Sequence, residues 1–164
     1  MTKIGEIVLR PIGIIHSPFK TIEGMPIQSS GAREKLGEVE VYSRYAGGLQ
    51  DLEGFSHIIL LYYFHRAGHA RLVVVPFLDS KPRGVFATRA PSRPNPVGLS
   101  VVRLVAREGN SLRVKGMDIL DGTPLLDIKP YVPAFDVYEA SRVGWLRGLK
   151  VRAVKSKRSD TRFR

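Results

Sequence analysis

The 164-residue sequence predicts an all-β protein: a closed antiparallel β-barrel with a few short helices and no Rossmann domain. Three observations lead there. Apolar and polar residues alternate with period two along much of the chain, the spacing that turns one face of a strand inward. Clusters of Gly, Pro, Asn and Ser cut these runs into short pieces, as turns do. Neither a G-x-G-x-x-G string after a strand nor a G-x-x-x-x-G-K-[ST] loop occurs, so no dinucleotide or P-loop unit is marked.

The elements follow in order. "EIVLRPIGIIHS" (6–17) and "GEVEVY" (37–42) alternate and are rich in β-branched residues. "HIILLYYF" (57–64) is apolar nearly throughout, which predicts a strand covered on both faces. "ARLVVVPF" (70–77), "VGLSVVRLVARE" (97–108) and "SLRVKGMDIL" (111–120) complete the set. The last two are joined by "REGNS", where Gly109-Asn110 supplies the positive φ of a hairpin turn. Helix signals are confined to "YAGGLQDLE" (45–53) and "AFDVYEASRVGWLRGLK" (134–150). Six or more short strands with turn signals between them favour a barrel over an α/β layer fold.

Composition narrows the function classes. The length suits one domain, taken as residues 1–149, followed by a basic and flexible tail at 150–164. No run of eighteen apolar residues predicts a membrane span, and the N-terminus lacks the pattern of a signal peptide. There is no cysteine, which excludes disulfide and thiol chemistry and is compatible with a cytoplasmic protein. Against 15 acidic residues stand 26 Lys and Arg, a net charge of +11 that favours polyanionic partners, nucleic acid first. Lys150, Arg152, Lys155, Lys157, Arg158, Arg162 and Arg164, with Asp160 the one acid among them, concentrate six of those charges in the tail. A solvated tail without a partner is the plain alternative.

Two segments stand out from the strand pattern. "TRAPSRPNPVGLS" (88–100) holds three prolines and two arginines, and prolines remove backbone donors and push Ala90, Arg93 and Asn95 towards extended backbone. That describes a stiffened loop presenting polar side chains. "DILDGTPLLDIKPYVPAFD" (118–136) mixes a turn signal at Asp121-Gly122-Thr123-Pro124 with further acids, Lys129 and Tyr131, and is expected to be a second polar loop at a barrel mouth. Its plain alternative is turn chemistry with one Asp–Lys pair. "HRAGH" places His65 and His69 four apart, but Gly68 and the preceding strand pattern oppose a helical metal pair, and no metal site is expected.

These segments carry a resemblance. "GVFATRAPSRPNPVGLS" followed by "DILDGTPLLDIKPYVP", with "GMPIQ" (24–28) and "YFHR" (63–66) upstream, is similar to the TrmO, or TsaA-like, methyltransferases from about Pro11 to about Tyr138. The family often has Ser where this chain has Ala90, and many bacterial members carry a further C-terminal domain where this chain has the basic extension. The resemblance implies a homodimeric β-barrel that uses S-adenosylmethionine to methylate N6 of threonylcarbamoyladenosine beside the anticodon of tRNA. It also implies a cofactor site made by Pro26, Ile27, Gln28, His65, Arg66, Arg89, Leu99, Leu120, Asp121, Gly122 and Thr123.

The chemistry suggests roles within that frame. Arg89 suits a bidentate pair with a carboxylate. The accepting nitrogen is conjugated to a carbonyl and must lose its proton, so a base or a polarising cation is expected from Asp127, Lys129 or Tyr131. The tail is expected to contact phosphates, leaving cofactor binding untouched when deleted from Lys155 onward. Two other classes compete: a non-catalytic basic barrel that binds RNA, and a methyltransferase of the same architecture acting on another substrate.

Overall fold

A computed structural model of the chain describes residues 5–163. Residues 1–4 and Arg164 of the basic tail lie outside the described residues. Six antiparallel strands close into a barrel in the order β1-β2-β7-β6-β3-β8. They are β1 (Gly13–His16), β2 (Leu36–Val41), β3 (His57–Tyr63), β6 (Val97–Glu108), β7 (Ser111–Lys115) and β8 (Thr123–Pro130). A two-stranded sheet, β4 (Val73–Val74) with β5 (Arg83–Gly84), lies outside it.

The period-two pattern sets the barrel's inside. Ile15, Val39, Val41, Ile58, Leu60, Tyr62, Val102, Leu112, Val114 and Leu125 point inward and are buried, with Met117 and Ile119 from the loop after β7. A fully buried aliphatic side chain of this size contributes about 1.5–3 kcal/mol, so this one cluster dominates the fold's stability. On β3 the intervening residues Ile59 and Leu61 remain half-buried, so the strand is covered on one face and not on both.

Several expected strands are shorter than their patterns. The run at 6–17 pairs only from Gly13, and Ile7, Val8 and Leu9 are exposed. Pro11 has no amide to donate to a ladder. The run at 70–77 yields only Val73–Val74, outside the barrel, with Pro76 following. The run at 111–120 ends at Lys115 because Gly116 takes φ +93°, a conformation that favours glycine. The Gly116 and Met117 amides then bond to Lys35 O.

The opposite error concerns 118–136. Its middle is not a loop but β8, which closes the barrel between β1 and β3. A proline is disfavoured within a central strand, yet Pro124 fits for a local reason. Leu125 O accepts from Ile12 N (2.8 Å), so Leu125 bonds towards β1 and the alternating ladder turns Pro124 towards β3. Pairing of β3 with β8 stops at Tyr62↔Leu125, so no bond is lost there.

The helices are single turns or 3₁₀ segments, at Ser43–Leu49 and Leu52–Gly54. No helix crosses 134–150: one turn, α1 (Pro133–Asp136), is followed by a 3₁₀ turn at Gly144–Leu146. No helix is long and apolar enough to cross a membrane among the described residues.

The segment expected to be a flexible tail packs against the barrel's loops. It forms α2 (Val151–Ser156) and then a bridge from Arg158 to Pro26. Ser159 exchanges backbone bonds with Gly24 and Met25 at 2.9 Å, and its hydroxyl donates to Ile22 O. Phe163 is 5% exposed in a second cluster with Val74, Val85, Ala90 and Phe77. One anchoring aromatic and a set of backbone bonds outweigh the charge pattern that suggested a solvated tail.

Candidate functional site

Antiparallel order decides where the loops emerge. β1 ends and β2 begins at one rim, as β3 ends and β6 begins, and β7 ends and β8 begins. The long connections 17–35, 64–96 and 116–122 therefore share that rim. Every expected cofactor residue except Leu99 lies on this rim: Pro26, Ile27 and Gln28 on the first loop, His65, Arg66 and Arg89 on the second, and Leu120, Asp121 and Gly122 on the third, with Thr123 at the start of β8.

Cross-loop bonds join them. Arg89 Nη1 donates to Gln28 Oε1 at 3.2 Å. Thr123 Oγ1 donates to Leu120 O at 2.6 Å, so its lone pairs face His65 Nδ1 at 3.3 Å. With the Thr123 proton given to Leu120 O, this contact is a hydrogen bond in the tautomer that carries the ring proton on Nδ1 and leaves Nε2 as an acceptor. Burial, followed by the charge of Arg66, lowers the His65 pKa, which keeps the ring neutral near pH 7. Asp121 accepts from Ser17 N (2.9 Å) and pairs with Lys20 Nζ (2.7 Å), and these hold its pKa below the usual carboxylate value. It thus fixes the third loop to the first.

Two arginines of the Pro-rich loop have opposite fates. Arg93 turns inward, and its Nη1 donates to Val85 O (3.1 Å), Thr88 O (2.9 Å) and Ala90 O (3.2 Å). That spends its guanidinium on the loop's own backbone. Arg89 remains exposed at the rim. Ser92, buried beside Arg93, accepts the Arg71 amide through its carbonyl at 3.1 Å.

Leu99 lies apart from the loops on the outer face of β6, 50% exposed. It is opposite Leu61, which is opposite Asp127, so the three form a row across β6, β3 and β8. Two strand spacings put Leu99 and Asp127 about 10 Å apart. Lys129 follows on the same face and pairs with Asp127 at 2.8 Å. Tyr131 lies beyond, its ring 6.2 Å from that of His57 at the other rim. It is about 25 Å along the strand from Thr123. The expected catalytic residues thus stand on a strand's outer face and not on a loop at the mouth.

A polar group not singled out by its sequence lies under the rim. Tyr62 Oη and Ser100 Oγ are 3.0 Å apart, and Ser100 Oγ donates to Asp118 Oδ1 at 2.7 Å. Ser29 N–H and the Arg89 charge also favour the Asp118 carboxylate, but burial dominates and pushes its pKa up to about 6. The signal was available in part. Ser100 is a hydroxyl at an inward position between Gly98 and Val102, where the alternation calls for an apolar side chain.

Comparison with known proteins agrees with this geometry. A family model for the tRNA-methyltransferase O N-terminal domain matches residues 14–137. A probable S-adenosyl-L-methionine-binding protein of Pyrococcus abyssi is 59% identical over 157 residues, covering 96% of this chain and 85% of that protein. A tRNA (adenine(37)-N6)-methyltransferase of Mus musculus is 37% identical over 139 residues, covering 80% of this chain and 32% of that protein. The crystal structure of TrmO from Pseudomonas aeruginosa matches with a TM-score of 0.72 and 40% identity, covering 86% of this chain and 63% of that one. The chain spans under two thirds of the solved TrmO chain and about a third of the mouse protein. With its barrel, its rim loops and most of its length matched, this chain belongs to the tRNA-methyltransferase O N-terminal domain family.

Proposed function

We propose that this chain is an S-adenosylmethionine-dependent tRNA methyltransferase that methylates N6 of threonylcarbamoyladenosine next to the anticodon. The observation that carries the proposal is the convergence of three loops on one rim, with Arg89 reaching across to Gln28 and Thr123 facing His65. Relatives named for S-adenosyl-L-methionine binding and for tRNA adenine(37)-N6 methylation support it.

The residues present fit the donor. Arg89 is an exposed guanidinium with one bond to a neutral amide, so its remaining donors can take the donor's carboxylate in a fork. The loop backbones around Pro26, Ile27, Gln28, Leu120, Asp121 and Gly122, with Arg66 beside them, offer polar groups for the rest. Leu99 offers apolar surface. S-adenosylmethionine supplies an electrophilic methyl on a sulfonium when bound. The protein's task is then to align it with the accepting nitrogen, where positioning lowers the barrier most. Asp127 is proposed as proton acceptor and Lys129 as the cation polarising the adjoining carbonyl, since both share the outer face with Leu99. Tyr131 has no step in this proposal.

That outer face also supports a homodimer. Tyr63 and Val105 are exposed there, apolar surface that a second copy would cover. A net charge of +11 suits a tRNA anticodon loop and, with it, the cytoplasm. The test is transfer of a tritiated methyl from S-adenosylmethionine to tRNA with and without threonylcarbamoylation. Label should appear only in the modified tRNA. Equal label in both, or none in either, refutes the assignment.

A further inference from the structure

The three rim loops meet on one acceptor. Asp118, from the third loop, takes the Ser100 hydroxyl from the barrel wall at 2.7 Å and the Ser29 amide from the first loop. Arg89, from the second loop, lies near enough for its charge to act on both Asp118 and Tyr62. It makes no direct ion pair among the described residues, and its Nη1 goes to Gln28 instead. A carboxylate turned inward without a close cation is a costly group to keep. Burial of an unpaired charge costs stability, so a neutral isostere that keeps the acceptor oxygen relieves the fold of that cost.

We propose that Asp118 is a positioning residue of the methyl-donor site: held by Ser100 and Ser29, its charge keeps Arg89 over the rim, where the guanidinium meets the donor's carboxylate. The proposal rests on the reading of the rim as the S-adenosylmethionine site. Its charged form is required, so binding weakens when Asp118 is protonated. The groups facing it are Arg89, Tyr62, Ser100 and the Ser29 amide. A guanidinium is charged at any pH a folded protein tolerates, and burial pushes the Tyr62 pKa up, so Tyr62 stays neutral between pH 5 and 8. His65 shares the rim, and burial, followed by the charge of Arg66, lowers its pKa, so it serves as the control. Burial pushes Asp118 to about 6, so its transition falls inside the window.

The experiment is calorimetric titration of S-adenosylmethionine into the full chain from pH 5 to 8, with melting of the ligand-free protein. Asp118→Asn should bind at least tenfold more weakly at pH 7.5, while its Tm equals or exceeds that of the wild type. Wild-type affinity should fall as the pH drops through about 6, and Asp118→Asn should lose that component. His65→Gln should retain it. Ser100→Ala removes a bond that favours the charged form, so it should move the midpoint to higher pH and still bind at pH 8. Wild-type affinity in Asp118→Asn overturns the proposal. So does a fall in Tm that accompanies the loss of binding, or an unmoved midpoint in Ser100→Ala. A wild-type protein that binds no S-adenosylmethionine at any pH would instead remove the site reading itself.

Discussion

Ending the chain after Val154, or replacing Phe163 with Ala, should weaken S-adenosylmethionine binding, although neither change touches an expected cofactor residue. The C-terminal segment grips both sides of the Arg89–Gln28 contact. On one side Ser159 bonds to Gly24 and Met25, and Arg158 bridges to Pro26, immediately before Ile27 and Gln28. On the other, Phe163 packs with Val85 and Ala90, the residue after Arg89. Arg162 adds bonds to Val75 O and Pro76 O and lies over the Phe77 ring. The approach is close: a Cβ on Gly31 would sit 2.7 Å from Lys155 O.

The magnitude follows from burial. Phe163 is 5% exposed and meets Phe77 edge-on, with ring centroids 5.1 Å apart. Removal of a buried Phe ring costs about 3–5 kcal/mol, and a satellite cluster of five residues belongs near the lower end. At 1.4 kcal/mol per decade, 3 kcal/mol shifts the docked-to-undocked ratio about 100-fold. The segment's backbone bonds, each worth about 1 kcal/mol net, leave docked and undocked forms of comparable population in Phe163→Ala. An apparent Kd rises by the reciprocal of the competent fraction, so about two- to tenfold is expected for Phe163→Ala and more than tenfold for the truncation. Calorimetry on the three proteins measures this, and hydrogen exchange at Gly24 and Gly68 reports undocking. Equal affinities would refute the clamp and restore a tail that serves RNA alone.

Three further outcomes are expected. Arg93→Ala removes the donor to Val85 O, Thr88 O and Ala90 O, and should destabilise the loop by about 2–3 kcal/mol; Arg93→Lys should not rescue it, because a planar fork is replaced by a point charge. Proteolysis of residues 85–96 in the native state reads this out. Gly98→Ala should lower stability by about 1–3 kcal/mol in a denaturant melt, since its Cβ would lie 2.5 Å from Tyr62 Cζ and 2.8 Å from Phe64 Cζ. Asp121→Asn should reduce stability at pH 7, and the difference should shrink as the pH falls below the ordinary carboxylate pKa. The Asp121 pKa is lowered in the fold, first by Lys20 and then by the Ser17 amide, so its contribution is present above the unfolded pKa and lost as pH falls through the folded one.

The sequence makes β6 legible from end to end, because Val97–Glu108 is a long run rich in β-branched residues with no proline to stop it, although Ser100 and a bulge between Leu104 and Ala106 interrupt the alternation. β8 is illegible for the reason that makes it possible. Pro124 argues against a central strand, and only the point where β3 stops pairing shows that its missing donor is harmless. The C-terminal segment fails differently. Its charges are visible in the composition, whereas the Ser159 exchange with Gly24 and Met25 is a backbone contact across more than 130 residues and leaves no local trace. Arg89 and Arg93 lie four residues apart in one loop. Neither spacing nor residue type separates the arginine that faces solvent from the one that bonds three carbonyls.

The location of the site was nevertheless implied by order alone. In an antiparallel barrel whose strands run alternately up and down, alternate connections share a rim. The connections β2 to β3 and β6 to β7 leave the far rim, while β1 to β2, β3 to β6 and β7 to β8 leave the near one. "GMPIQ", "YFHR" with "TRAPSRPNP", and "LDGT" occupy the three near connections in turn. Segments separated by some 35 residues are therefore neighbours in space once the strands close. The same rule moves Asp127, Lys129 and Tyr131 away from the rim, because they follow "LDGT" down a strand and not around a loop. Asp118 precedes that strand on the same connection, and closure of the barrel brings it against Ser100 and within reach of the Arg89 charge.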